Sequence, residues 1–575
     1  MRRGGLSLLA LCMLATRALP AQDTTGAAGG SGNPPSRIAR LSVVSGSVSF
    51  QPSGDTGWSQ ATLNYTLTTG DRLYADSGSR VELEVGPFTV RLMGVTDLTL
   101  TNLSDDFMQL GLAEGMVRVS VYSLPAGDSL EVDTPNGAVA VGSIGEYRVD
   151  ASSADSTTLV RVDRGALDVD APGFSRSLRG GQTLRLVGTD SVTASEAVPP
   201  PADGFDQWSA ERDRRLAASA TAQYVGRDVP GYEDLDQAGR WDVDAQYGPV
   251  WYPTAVPAGW LPYRYGHWAW IEPWGWTWVE DEPWGYAPFH YGRWAYVGSA
   301  WAWLPGAIGP RPCYAPALVV FVDGSRLYGR DRSGIGVQAW FPLGPGEPYF
   351  PWYHHDDAYR RRVNVRSVTN IGNVTDVTNI ATINYRNRGI ATTAVPTTTF
   401  RGGRPIARRV IPIGPGQMAN VPVAPHPSTA PAPRAAAGGA PAPNPPRAAR
   451  PVMITTAVRR TAPPIAGNPQ AAPGQASAPR TPLPVITRKA PAPQNLPFPV
   501  REPAMQQHPG RPLEPQQIEN LRAGKPAGPM RDPELSHAQP RAQPAPRAQP
   551  APRPPAAAAP RPAPRPTSKP PERRP

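Results

Sequence analysis

Three consecutive acidic residues, Glu280, Asp281 and Glu282, come nearest to a catalytic arrangement in this sequence. They lie inside the Trp-rich stretch PWGWTWVEDEPWGYAPFHYGRW at residues 273–294. Two carboxyl groups about 5 to 9.5 Å apart can supply the acid and the nucleophile or base of glycoside hydrolysis. A run of acids at a hairpin turn is more typical of a solvated charge cluster. We therefore expect no catalytic residue here, and a hydrolase is kept only as the second alternative function.

The same stretch offers aromatic rings that could bind a ligand. Flat Trp and Tyr rings suit the apolar faces of sugars, and nearby carboxylates such as Glu272 suit sugar hydroxyls. The candidate ligand-binding aromatics are Trp274, Trp276, Trp278, Trp284 and Trp294. A carbohydrate- or peptidoglycan-binding module is therefore the first alternative function.

Burial is the competing interpretation of these rings. Twelve Trp occur between Trp241 and Trp303. At about 150 to 250 Å² each, they would together present on the order of 2,000 Å² of apolar surface, several times what a soluble monomer exposes. We therefore predict that most of the rings form a core and that any ligand surface uses a subset of them.

Histidine and cysteine offer little further chemistry. The run His354-His355-Asp356-Asp357 contains metal-ligand residue types. Adjacent residues of a strand point to opposite faces, however, so four in a row rarely chelate one ion. His267 and His290 stand alone, and no nucleophile triad, phosphate-binding loop or dinucleotide fingerprint occurs in a convincing context. We expect no metal site, no cofactor and no enzymatic activity.

The elements that position these residues begin with a β-rich region at 37–190. Short runs such as LSVVSGSVSF, SRVELEVG and GMVRVSVY alternate apolar and polar residues and are bounded by Gly, Asp, Asn or Pro. A period of two with a turn about every dozen residues predicts antiparallel β structure with one buried face. The sequence therefore predicts a mainly β fold, with a sandwich or rolled sheet over this region.

Five motifs of this region, taken in order, resemble the periplasmic domain of FecR-type signalling proteins. They are TTGDRLYADSGSRVELEV (68–85), EGMVRVSV (114–121), VDTPNGAVAVGSIGEYRV (132–149), VRVDRGALDV (160–169) and LRGGQTLRL (178–186). The resemblance implies a periplasmic β domain used for protein contact or envelope sensing. Family members that regulate sigma factors carry a transmembrane helix before this domain, whereas here only a cleavable leader is visible, so transmembrane anti-sigma signalling is not expected.

A linker and a second β region follow. Residues 203–222 predict one helix, which Asp203 could cap and which Phe205 and Trp208 would pack onto a neighbouring domain. Residues 241–352 predict a module of Trp-rich hairpins, in which YGHWAW at 265–270 recurs as YGRWAY at 291–296. Over 241–306 the repeats resemble an uncharacterised class of exported proteins with Tyr-Gly-x-Trp segments, which implies no particular activity.

The N-terminus indicates export. Residues 1–21 place two Arg before an apolar run that ends near small residues, which is typical of a cleaved signal peptide. No later segment has the ~20 apolar residues that a membrane span needs. Whether Cys12 is lipidated stays open, and removal of the leader leaves Cys313 as the single thiol, so no intrachain disulfide is expected.

The C-terminal third differs sharply in composition. Residues 363–400 place Val and Ile at every third position from Val365 to Ile383, which predicts an extended ribbon or a sticky linker that orders on a partner. Residues 401–575 contain 45 Pro, 25 Lys or Arg and 6 Asp or Glu, a net charge of 25 − 6 = +19, while the whole chain has +10. We predict that this tail is disordered and that it either solubilises the chain or touches anionic polymers weakly.

Together these observations predict a non-enzymatic, exported protein of the periplasm or outer envelope that binds, scaffolds or senses. Its expected partners are envelope proteins or anionic envelope polymers, with a glycan as a further possibility. Nucleic acid is not an expected partner, because an exported chain rarely meets it and because the positive charge belongs to the tail on an otherwise acidic body.

Overall fold

The computed structural model describes residues 32–309, 311–328, 336–368, 380, 383–414, 416–418, 421–443, 445–446, 450–455 and 483–530. The leader at 1–21, with Cys12, lies outside the described residues. So do Ile371, Val374 and Val377 of the period-three segment and the last part of the tail from residue 531.

The fold is mainly β, as predicted, and its first part is a large sheet that we call the β-domain (residues 37–196). Its strands are β1 (Ala39–Ser45), β2 (Val48–Gln51), β3 (Ser59–Gln60), β4 (Thr66–Leu67), β5 (Arg72–Ala75), β6 (Arg80–Val85), β7 (Phe88–Leu103), β8 (Phe107–Val121), β9 (Ser129–Asp133), β10 (Ala138–Val141), β11 (Gly145–Ser152), β12 (Thr157–Arg164), β13 (Ala166–Ala171), β14 (Phe174–Arg179), β15 (Thr183–Val187) and β16 (Thr193–Glu196).

The long hairpin of β7 and β8 is the spine of the β-domain. One run of neighbours is β14-β13-β10-β9-β8-β11-β12-β15-β16, while β7 joins β8 to β5 and β6. The β8–β9 pair is parallel, and the neighbouring β7–β8 and β9–β10 pairs are antiparallel. Register shifts near Asp97 and Leu100 bend the hairpin, so the sheet rolls around Leu and Val side chains that the alternating sequence turns inward.

Helices connect and flank the strands. They are α1 (Gly204–Ala218), α2 (Ala222–Val225), α3 (Leu235–Ala238), α4 (Ala287–His290), α5 (Gly324–Tyr328), α6 (Asp357–Asn364), α7 (Thr397–Arg401), α8 (Pro433–Ala436), α9 (Phe498–Gln507) and α10 (Pro515–Arg522), with a 3-10 helix at Ala407–Arg409. The helix that the sequence predicts at 203–222 is α1. Asp203 accepts hydrogen bonds from the backbone N–H of Phe205 and Asp206, both at 2.9 Å, and Phe205 is buried.

The second part, which we call the Trp module (residues 239–352), is built from hairpins as predicted. Its strands are β17 (Gly239–Asp244), β18 (Gly248–Pro253), β19 (Gly266–Ile271), β20 (Gly275–Glu280), β21 (Arg293–Val297), β22 (Ala300–Leu304), β23 (Val319–Val322) and β24 (Val337–Pro342). Four later strands lie beyond this range: β25 (Thr393–Pro396) pairs with β24, β26 (Val423–Ala424) pairs with β23, and β27 (Met453–Thr455) pairs with β28 (Val485–Thr487). The sheet of β23 and β24 is therefore completed by chain that lies beyond the predicted boundary at 352.

The repeated Tyr-Gly-x-Trp segments have a packing explanation. Gly266 begins β19 and Gly292 directly precedes β21, and each lies against an indole of the strand opposite. A Cβ at Gly266 would come within 2.8 Å of the Trp278 ring, and one at Gly292 within 2.6 Å of Trp303 Nε1. The glycine therefore makes room for the neighbouring ring, and the repeat encodes a Gly–indole contact in successive hairpins.

Aromatic rings form the core of the Trp module. Trp268 is fully buried and lies 5.4 to 5.5 Å, between ring centroids, from Trp278 and Trp340 in edge-on geometry. Phe400 of α7 fills the same cluster at 5.2 Å from Trp268. Edge-to-face packing is the arrangement that the ring quadrupoles favour. Aromatic side chains thus take the place that Leu and Ile hold in an ordinary core.

The prediction of an extended segment over residues 363–400 is wrong at both of its described ends. Val363 belongs to α6, and the chain at Thr393–Pro396 is a regular strand followed by helix α7. Phe400 is not part of the pattern of period three, so the prediction took no account of it. It is fully buried and anchors this part of the chain in the aromatic core.

The prediction of disorder from residue 401 is also wrong for the described part of the tail. Val485, Ile486, Phe498 and Met505 are buried. Arg501 forms an ion pair with Glu272 at 2.5 Å. Composition suggested disorder because these apolar residues are too sparse to form a core of their own. They bury instead against surfaces that the body supplies.

Within the described residues, no helix combines the length and the apolar character that crossing a membrane requires.

Replacement of Trp268 by Ala should lower the free energy of unfolding by roughly 3 to 5 kcal/mol, because it leaves a cavity among four aromatic neighbours. The measurement is urea unfolding followed by circular dichroism. Tyr296→Ala is the matched control, since Tyr296 is 54% exposed, and its cost should stay below about 1 kcal/mol. Equal losses for the two variants would contradict the aromatic-core assignment.

Candidate functional site

A buried cluster of charges lies where the β-domain, helix α1 and the chain leading into the Trp module meet. Glu82 of β6 accepts a hydrogen bond at 2.6 Å from Arg91 of β7 and another at 2.6 Å from Arg212 of α1. Arg212 also donates to Glu233 at 3.1 Å. Glu82 has no exposed area, so these ion pairs are shielded from solvent. Helix α1 is therefore held on the sheet by charge pairs as well as by Phe205.

Arg40 of β1 carries the same cluster into the second part of the chain. Its guanidinium lies 2.6 Å from Asp234 and 3.4 Å from Glu84, and it donates to the carbonyl oxygen of Pro283 at 3.0 Å. Beside it, Asn64 donates to the carbonyl oxygens of Glu280 and Glu282 at 3.1 and 2.8 Å. The acidic turn of the Trp module is thus hydrogen-bonded to the β-domain through its backbone.

Electrostatics distinguish the carboxylates of this cluster. Burial alone would raise the pKa of Glu82, but Arg91 and Arg212 outweigh it and hold that pKa at about 2. Burial raises the pKa of Glu233 well above its usual range, and the nearby Glu84 and Asp234 carboxylates add to the effect. Glu82 is therefore ionised at neutral pH, whereas Glu233 favours its neutral form.

Three carboxylates of the cluster have the spacing of a metal site. One oxygen from each of Glu82, Glu84 and Glu233 lies within 4.8 Å of the others. Arg91 and Arg212 already donate to Glu82, and Arg40 pairs with Glu84. Because guanidinium groups occupy the positions that a cation would take, we interpret the cluster as structural.

The five candidate ligand-binding rings are all in the interior. Trp274, Trp276 and Trp278 have no exposed area, and Trp284 and Trp294 are 4% and 1% exposed. The indole N–H of Trp276 donates to the carbonyl oxygen of Thr429 at 2.9 Å, and that of Trp294 to Pro288 at 2.9 Å. A ring with no free face cannot stack on a sugar. The core interpretation therefore accounts for these rings, and a glycan platform made of them is not supported.

The candidate hydrolytic pair is also inaccessible. Glu280 is 2% exposed, and one of its carboxylate oxygens accepts a hydrogen bond from Trp278 Nε1 at 2.7 Å. Burial raises the pKa of Glu280 well above its usual range. The Glu280 carboxyl is thus enclosed by the aromatic core rather than presented to a substrate beside Glu282.

The histidines serve local structure. His290 is buried, which lowers its pKa to about 3, and its Nδ1 lies 2.8 Å from the carbonyl oxygen of Ala315. In the run at 354–357, Asp356 caps helix α6 by accepting from the N–H of Tyr359 at 2.7 Å, and Asp357 pairs with Arg360 at 2.9 Å. These two carboxylates have separate partners on helix α6 and do not converge on one point with the histidines before them.

A cleft of about 250 Å³ opens at the junction of the two parts. The β-domain contributes Arg37 and Tyr122, the linker after α1 contributes Arg227, and the Trp module contributes Tyr291 and Arg311. No local motif announces this site, because its lining comes from three regions of the sequence. Sequence reasoning missed these residues for that reason.

Three guanidinium groups give the cleft its chemistry. Arg37 pairs with Asp128 at 2.6 Å, and Arg311 pairs with the same carboxylate. Arg227 is exposed and donates to the carbonyl oxygens of Leu216 and Ala217, at 3.3 and 3.0 Å, at the C-terminal end of α1. Each group keeps donors beyond those that these bonds use, since a guanidinium has five. Asp105 and Asp228 also line the cleft, so the remaining guanidinium donors are the groups that a ligand with acidic oxygens would use.

The buried ion pairs predict a specific response to acid. The stability that Glu82 contributes is fully present above its unfolded-state pKa of about 4.5 and is lost as the pH falls towards about 2. Glu82→Gln should cost about 3 to 5 kcal/mol at pH 7, because it removes the fully buried carboxylate that Arg91 and Arg212 share. In urea titrations, the gap between the native chain and this variant should narrow from pH 5 to pH 2.5.

The control for this experiment is Glu211→Gln, whose side chain is 66% exposed and pairs only with Arg214 on the helix surface. Its effect should stay within about 0.5 kcal/mol at every pH. A gap for Glu82→Gln that does not change with pH would show that the Glu82 carboxylate is not the group that stabilises the junction.

Comparisons with known proteins find one family model that matches within the second part. Residues 232–347 match the model of a family of unknown function, DUF6600, which agrees with the expectation of an uncharacterised family for the Trp-rich region. No curated protein matches the sequence.

Two crystal structures, each described as that of an anti-sigma factor from Parabacteroides distasonis ATCC 8503, are similar to parts of the chain. One has 19% identity and a TM-score of 0.20 over 22% of this chain and 60% of that chain, so this chain spans less than two thirds of its length. The other has 16% identity and a TM-score of 0.21 over 32% of this chain and 99% of that chain. The FecR resemblance of residues 37–190 stays a prediction.

Proposed function

We propose that this protein is a non-enzymatic binding and sensing component of the cell envelope, and that its ligand enters the cleft at the junction. The ligand is an acidic group, a carboxylate or phosphate of an envelope polymer, held by Arg37, Arg227 and Arg311. Export of the chain is part of the proposal and rests on the leader at 1–21.

One observation carries the proposal: both folded parts line the same charged cleft. A ligand seated there touches the β-domain through Arg37 and the Trp module through Arg311. Binding would then be sensed by both parts at once, since they are also joined by the ion pair between Arg40 and Asp234. A site for acidic groups suits an envelope, whose glycans and lipids carry carboxylates and phosphates.

The absence of catalysis is part of the same proposal. The candidate acid pair has one member enclosed in the aromatic core, and the junction cluster is neutralised by guanidinium groups. A buried general acid without solvent access has no route to a polymeric substrate. We therefore assign the carboxylates of both places to structure.

The test is binding of two acidic probes, soluble disaccharide-peptide fragments of peptidoglycan and inorganic phosphate, to the full chain by calorimetry. For whichever probe binds the native chain, Arg227→Ala should weaken binding about tenfold or more, because it removes charge-assisted hydrogen bonds worth roughly 1.5 to 3 kcal/mol. Arg214→Ala is the matched control, because Arg214 is 75% exposed on α1 and does not line the cleft. The glycan fragments should keep their length during incubation.

Binding of neither probe, or equal binding by the Arg227 and Arg214 variants, would reject the cleft as the ligand site. Shortened fragments would reject the non-enzymatic part of the proposal.

A further inference from the structure

The C-terminal segment 485–489, VITRK, lies in a trough on the outer surface of the β-domain. Val485, Ile486 and Thr487 form strand β28, and none of the three is more than 1% exposed. The Ile486 N–H donates to the carbonyl oxygen of Thr134 at 2.9 Å, in an antiparallel bridge just after β9. The segment therefore binds the β-domain as an extended strand, although more than 300 residues separate them in the chain.

The floor of the trough is made of small and acidic residues. Strands β8, β9, β10 and β13 are neighbours, and residues paired directly across them share one face of the sheet. On the outer face these paired residues are Gln109, Gly111, Glu131, Asp133, Ala138, Ala140, Asp168 and Asp170. The opposite face carries Val132, Val139 and Val169 of the β-domain core. The alternation thus produces a shallow outer surface with four carboxylates, and Phe107 lies at one end of the same face.

The residues that follow β28 match this surface in charge. The Arg488 backbone N–H donates to Glu131 at 2.8 Å, and its guanidinium lies 3.1 Å from Asp170. The Lys489 ammonium lies 3.9 Å from the centre of the Phe107 ring, and its carbonyl oxygen accepts from Gln109 at 3.1 Å. The contacts therefore combine a short β-branched strand with two basic residues placed over carboxylates and an aromatic ring.

The small floor residues make room for a second strand as well. A Cβ at Gly111 would lie 2.5 Å from the Cε of Met453, and Met453 begins β27, which runs parallel to β28. The side chains of Ala138 and Ala140, on the same face, are also short. The floor of the trough has small side chains where the strands lie on it and carboxylates where the basic residues follow. These are the features of a peptide-binding surface.

We propose that this trough is a docking site for an extended basic segment of a partner protein, with residues 485–489 as its resident occupant. The contacts use backbone hydrogen bonds, three β-branched side chains and two cations, none of which depends on the segment belonging to the same chain. Strand β28 has three residues and one backbone bridge to the β-domain, so it opens at a lower free energy than the core of the sheet. A partner segment of the same pattern can then replace it.

The experiment uses a fluorescent peptide of residues 481–491 and the full chain carrying Ile486→Asp, which places a charge where a fully buried side chain was. The peptide should bind this variant at least tenfold more tightly than the native chain, whose trough is occupied. Adding Asp170→Lys to the variant should weaken binding at least tenfold, and a scrambled peptide should not bind. Failure of the peptide to bind the folded variant, or binding that ignores Asp170→Lys, overturns the proposal.

A second measurement keeps the test decisive if Ile486→Asp does not fold. Hydrogen exchange of residues 485–489 in the full chain should become at least tenfold faster on Asp170→Arg and should recover when Arg488→Glu is added. Unchanged exchange in Asp170→Arg contradicts the charge-matched trough. Concentration-dependent dimers that exchange this segment between copies would overturn the partner assignment and give the trough to a second copy of the chain.

Discussion

The structure depends on a set of buried charges that are paired across the two folded parts as well as within the β-domain. Arg40 lies in the first strand of the β-domain without exposed area, and its closest acidic partner, Asp234, precedes the Trp module. A buried guanidinium without a counter-charge costs several kcal/mol. Without the chain around Asp234, Arg40 would keep Glu84 as its remaining acidic partner, at 3.4 Å, so this chain stabilises the β-domain. Arg40 and Asn64 also hold the acidic turn at 280–282 against the sheet through hydrogen bonds to its backbone.

Aromatic packing supplies the second constraint, and it explains an unusual composition. A module with few Leu and Ile residues in its hairpins still buries a large apolar area, since each indole brings about 150 to 250 Å². The cost of an indole is its N–H, which needs an acceptor, and the carbonyl oxygens of Thr429 and Pro288 meet this need for Trp276 and Trp294. One of these acceptors belongs to the tail beyond residue 401. The Pro-rich chain is therefore part of the folded structure where it satisfies the core.

Much of this architecture could be predicted from local pattern. Alternation gave the β strands, Asp203 indicated where α1 begins, and the area of twelve indoles required that most of them be buried. The features that the sequence did not predict share one cause. The buried charge cluster, the cleft and the trough that holds VITRK contain pairs of residues that lie from 91 to 380 positions apart, and no periodicity records such pairs. The run Val485-Ile486-Thr487 has the β-branched composition of a strand. The average composition of the 175 residues around it is dominated by Pro and Arg and therefore hides this short run.

The claim that one set of buried ion pairs makes a single unit of the two parts is tested most directly by scanning calorimetry of the full chain at neutral pH. The account predicts one unfolding transition over the β-domain and the Trp module together, with a calorimetric enthalpy equal to the van't Hoff enthalpy. Two resolved transitions, with a calorimetric enthalpy well above the van't Hoff value of either, would show that the two parts fold independently and would contradict the account.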